Sequence, residues 1–70
     1  MSMDINRLNY TLRKEFREYK TFYFEPSNKV LASVIGIGYS NFMQWQKGKI
    51  DLGYISLSKI QEFLNKYNKQ

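Results

Sequence analysis

Cysteine and histidine are both absent from this 70-residue sequence. Without cysteine there is no disulfide and no thiolate nucleophile, and without either residue nearly every zinc site is excluded. The loss of histidine also removes the usual general base near neutral pH. Only six carboxylates are present, and they are scattered: Asp4, Glu15, Glu18 and Glu25, then Asp51 and Glu62. None forms a close pair suited to acid–base work. An enzyme is therefore not expected, nor any metal or cofactor. Long apolar runs are lacking as well. "VLASVIGIGY" is about half of the roughly 20 residues that a membrane span needs. "MSMDINRLNY" has no apolar stretch of signal-peptide length. The chain reads as one cytoplasmic domain over residues 1–70, with no membrane partner. A domain of this size buries only about 60% of the surface its unfolded chain exposes, so a deep pocket is not expected.

What is present is positive charge, and its placement is uneven. The formal net charge is +5. From Ser27 to Ile50 there are Lys29, Lys47 and Lys49 but no Asp or Glu. An acid-free basic stretch fits a polyanionic partner.

The apolar spacing predicts an all-α fold. Ile5, Leu8, Leu12, Phe16 and Tyr19 recur at three and four residues, which marks one face of a helix near 4–20 with Asp4 at its N-terminus. Arg7, Arg13, Lys14 and Arg17 fall on the opposite side and read as a solvated face. Thr21 to Phe24 form a β-prone aromatic run that Pro26 ends. It packs as a linker on the core, or it offers residues 22–24 to a protein partner. Ser27 can cap a helix over 28–35 with Val30, Leu31, Val34 and Ile35 as its apolar stripe. Gly36 ends it, since glycine takes positive φ without penalty. Ile37 follows as an apolar plug, and a third helix runs over 39–47 with Phe42 and Trp45 facing inward. Gly48 closes it. A last helix over 54–67 carries Ile55, Leu57, Ile60, Phe63, Leu64 and Tyr67 as its apolar residues, and Asn68, Lys69 and Gln70 are expected to fray.

Two short helices around a tight glycine turn form a helix-turn-helix, whose second helix reads the DNA major groove. "SNKVLASVIGIGYSNFMQWQKGK" resembles the helix-turn-helix of the phage repressor and Cro family, also called the XRE family. Ser27 and Asn28 occupy its Ser-Gln positions, Leu31 and Ala32 its Leu-Ala, and Gly36 and Ile37 its turn. Phe42, Trp45 and Gly48 fall on its remaining landmarks without a gap, and "DLGYISLSKIQEFL" looks like its following helix. Gly38 replaces the usual Ser or Thr cap, and Gln46 replaces the usual Glu. The resemblance implies a small lambda-repressor-like bundle of four or five helices, with the DNA-binding unit over about 27–48.

It also implies roles. Tyr39, Ser40 and Gln44 match base-facing positions. A Gln side chain can make a bidentate contact to adenine N6 and N7. Asn41 and Met43 are weaker candidates for DNA contact. Asn28 and Lys29 lie at a helix N-terminus, and Lys47 and Lys49 flank the closing glycine; all four are expected on phosphates. The expected partner is double-stranded DNA, bound by a homodimer, and the expected role is transcriptional regulation of phage or mobile-element type. The competing expectation is a small protein-binding inhibitor on the same scaffold, since fold does not fix function.

Overall fold

The chain enters its first helix at Asp4, whose Oδ1 accepts from the Asn6 N–H at 2.8 Å. In the computed structural model, which describes residues 4–68, the fold is all-α. It comprises α1 (Ile5–Phe22), α2 (Asn28–Ile35), α3 (Tyr39–Gln46) and α4 (Tyr54–Tyr67). α1 lies against α4 and α3, and α2 lies against α3 and α4. Phe16 sits where these layers meet. Its ring meets Phe42 edge-on at 5.2 Å and lies 6.1 Å from Phe63, and both neighbours are buried. Leu12, Tyr19, Leu31, Ala32, Ile35, Trp45, Leu57, Ile60 and Leu64 complete the core. No described helix is long and apolar enough to cross a membrane.

Two expectations are corrected here. α1 does not stop near residue 20; Thr21 and Phe22 are helical despite their β-prone side chains. Packing overrides propensity: the Tyr23 ring lies tilted against Tyr19 at 4.7 Å and its hydroxyl donates to the Tyr67 carbonyl, which draws the end of α1 onto α4. The apolar stripe of α2 is also narrower than its sequence suggests. Leu31, Ala32 and Ile35 are buried, while Val30 and Val34 are 61% and 58% exposed. An eight-residue helix whose backbone packs against α3 and α4 has two buried sides at most.

Three helices end in the same way. The Gly36 and Gly48 residues adopt φ of +90° and +78°. After α2, the Ile37 N–H returns to the Ala32 carbonyl at 3.0 Å; after α3, the Lys49 N–H returns to Gln44 at 2.9 Å. These are Schellman closures, which satisfy carbonyls the helix leaves unpaired. α1 closes likewise, with the Glu25 N–H on the Lys20 carbonyl at 2.7 Å. There the left-handed positions belong to Phe24 (φ +64°) and Glu25 (φ +53°). α4 ends with the Asn68 N–H on Leu64; Lys69 and Gln70 lie outside the described residues.

Candidate nucleic-acid interface

Phe42 and Trp45 are both fully buried, which fixes the rotation of α3 about its axis. Tyr39, Ser40, Asn41, Gln44 and Lys47 are consequently exposed. Met43 is half-buried and lines a groove beside α1 rather than standing with them. Gln44 Nε2 donates to Ser40 Oγ at 3.2 Å, one turn earlier. A carboxamide nitrogen carries two hydrogens. This bond therefore orients Gln44 while leaving one donor and its carbonyl oxygen for a base edge. Gly38 caps the helix with ordinary φ (−59°) and no side-chain bond.

The far end of α3 is held by two residues that sequence reading assigned no such role. Asn9, buried in α1, accepts from Trp45 Nε1 and from the Leu52 N–H, each at 2.9 Å. Its Nδ2 donates to the Ile5 and Leu52 carbonyls. Arg13, expected on a solvated face, instead donates Nε to the Trp45 carbonyl at 2.6 Å and Nη2 to the Ile50 carbonyl and Asp51 Oδ1, each at 3.0 Å. Its guanidinium lies 5.4 Å from the Trp45 ring centre. Together they tie α1 to the end of α3 and to the loop that carries Lys49. The signal for Asn9 was present: it falls in the stripe Ile5–Asn9–Leu12–Phe16, where a polar residue must find partners.

A groove of about 290 Å³ opens between α1, the start of α2 and the end of α3. Arg17, Lys20, Asn28, Met43, Gln46 and Lys47 are among its walls. Lys20 Nζ donates to Asn28 Oδ1 at 2.7 Å and to Gln46 Oε1 at 3.0 Å, and Gln46 Nε2 also donates to Asn28 Oδ1. Both bonds to Asn28 are accepted by its side-chain oxygen. Glu25 is the one acidic wall, and its carboxylate stands 3.9 Å from Lys20. With Gln46 in place of a carboxylate, the hydrogen bonds on Lys20 Nζ go to two neutral amide oxygens, and Glu25 is its ion-pair partner. Lys20 occupies the core-facing side of α1, one turn beyond Phe16, which is how a sequence could have flagged it. Lys29, Lys47 and Lys49 are exposed.

Lys59 of α4 donates to the Gly36 carbonyl at 3.2 Å and braces the turn before α3. At the other pole, burial raises the pKa of the Tyr19 phenol above its ordinary value, with the Tyr23 and Tyr67 phenols adding to the effect. No family model, curated protein or solved structure matches this chain.

Proposed function

We propose that this chain is a sequence-specific double-stranded DNA-binding protein, a transcriptional regulator of the phage repressor and Cro type that acts in the cytoplasm. The observation that carries the reading is the rotation of α3. Its two core aromatics leave Tyr39, Ser40 and Gln44 on one exposed face. An acid-poor groove with Lys20, Asn28 and Lys47 lies along its flank. α3 enters the major groove; Gln44, oriented by Ser40, pairs with adenine, and Tyr39 and Asn41 flank it. Asn28 Nδ2, Lys29, Lys47 and Lys49 hold phosphates and set the register. Two copies occupy half-sites about 34–36 Å apart. The role is binding, not catalysis.

The test is selection of bound duplexes from a random pool, followed by operator and random-DNA titrations of wild type and Gln44→Ala. A bidentate adenine contact supplies about 1–3 kcal/mol of discrimination. Gln44→Ala should weaken operator binding about tenfold or more and leave random-DNA binding nearly unchanged. Equal losses on both DNAs would remove Gln44 as a base reader. Wild type that binds no duplex even at low salt would reject the reading in favour of the protein-inhibitor alternative, which the exposure of Phe24 favours.

A further inference from the structure

Tyr10, Arg13, Arg17 and Lys20 recur on α1 at spacings of three, four and three. Such spacings set side chains in one row along a helix. Arg13, Arg17 and Lys20 wall the groove that Lys47 walls from α3, so the row runs down the flank of α1 that faces α3. Arg13 and Arg17 also wall a second cleft, of about 180 Å³, together with Tyr10 and Lys14 and with no acid among them. The two clefts therefore form one basic track that leads from the end of α3 onto α1. Glu15 and Glu18, the acids of α1, line neither cleft. Glu18 meets Arg17 only in a separate recess.

The cations of the track differ in what holds them. Arg13 is engaged by the Trp45 and Ile50 carbonyls and by Asp51, and Lys20 by Asn28, Gln46 and Glu25. Arg17 and Lys14 are exposed, and among the described residues no hydrogen bond or ion pair engages either side chain. Tyr10 is 66% exposed beside them. Like charges gathered in this way repel one another, so the folded chain gains nothing from keeping them together. A polyanion laid along the track offsets that repulsion.

We infer that this flank of α1 is a second phosphate-binding surface. Arg17 and Lys14, with the Tyr10 hydroxyl as a further donor, hold the sugar–phosphate backbone of double-stranded DNA where it passes beyond Lys47. The planar fork of a guanidinium matches phosphate with two parallel hydrogen bonds, and a tyrosine hydroxyl supplies a neutral one. These contacts carry no base information; they add affinity and fix how α1 lies along the duplex. The inference rests on the DNA reading above, and its test separates the two.

Duplex binding is titrated over a range of salt concentrations for wild type, Arg17→Gln, Lys14→Gln and Lys66→Gln. Lys66 lies on α4 in a cleft apart from the track and controls for net charge. Arg17→Gln and Lys14→Gln should each reduce the salt slope by about one unit, on operator and random duplexes alike, while Lys66→Gln leaves it near wild type. Tyr10→Phe should weaken binding several-fold with the slope unchanged, because the hydroxyl carries no charge. Without DNA, Arg17→Gln should melt at or above wild type, since glutamine forms helix about as well as arginine and a repulsion is removed. A wild-type slope in Arg17→Gln would overturn the inference and leave the DNA reading standing. So would a reduction in Lys66→Gln equal to that in Arg17→Gln, or an Arg17→Gln chain that melts well below wild type. Wild type that binds no duplex would overturn both.

Discussion

Asn9→Ala is expected to cost far more than its small change in volume. The Asn9 side chain makes four hydrogen bonds, two as donor and two as acceptor, at 2.8–3.2 Å, and the residue is 1% exposed. Truncation orphans two donors, the Trp45 indole N–H and the Leu52 N–H. A buried donor left without a partner costs about 1–3 kcal/mol. Trp45 is fully buried and sits at the upper end of that range; Leu52 is half-buried in a loop and sits at the lower. The sum is about 3–4 kcal/mol, a large share of the 5–15 kcal/mol typical of a whole domain. Asn9→Leu should be no better, since it fills the space but satisfies neither donor. Urea unfolding followed in parallel by helical circular dichroism and by Trp45 fluorescence measures the loss. A loss below about 1 kcal/mol would refute the reasoning: other groups would then satisfy the indole, and Asn9 would not anchor α3.

Gly36→Val should destabilise the protein by more than about 1 kcal/mol, because a β-branched residue is strained at φ +90°. Only Lys59 comes within 4 Å of an added Cβ, so an unchanged melt would reject the backbone argument rather than a steric one. Lys47→Ala and Lys49→Ala should weaken binding alike on all duplexes and each reduce the salt slope by about one unit; a loss confined to one operator would contradict the phosphate role. The fold keeps Tyr19 as the neutral phenol with its pKa above 10.0. Its contribution to stability is therefore complete below the unfolded pKa and is lost as pH rises through the folded value. Melts between about pH 9 and 11 should show this decline, and Tyr19→Phe should lessen it.

The parts of the fold legible in the sequence were those set by local rules. Asp4 and Ser27 cap helices, Gly36 and Gly48 close them, and Phe42 and Trp45 sit inward because their spacing leaves no other side. What escaped was set by distant partners. Asn9 and Arg13 bond to residues 32–43 positions away, and apolar periodicity is blind to a polar side chain that joins two elements. The same limit hid the outward turn of Val30 and Val34, which follows from what α2 touches rather than from its own pattern. Asn28 was placed near phosphate by register alone; that its oxygen is taken by Lys20 and Gln46 could be known only from the fold. Phe24 ran against the rule that a left-handed closure wants glycine, so the turn there left no trace in composition.

α3 is held unequally at its two ends. Trp45 is bonded through both its indole and its carbonyl, and Gly48 closes the helix behind it. The first turn has no side-chain cap, and Tyr39, Ser40 and Asn41 are all exposed. Melting that turn breaks no buried contact. Amide hydrogens along this one short helix should therefore exchange in a steep gradient, fastest at Tyr39–Asn41 and slowest near Trp45. The exposed end can adjust its pitch at little cost, while the end that fixes its direction cannot move without opening the core.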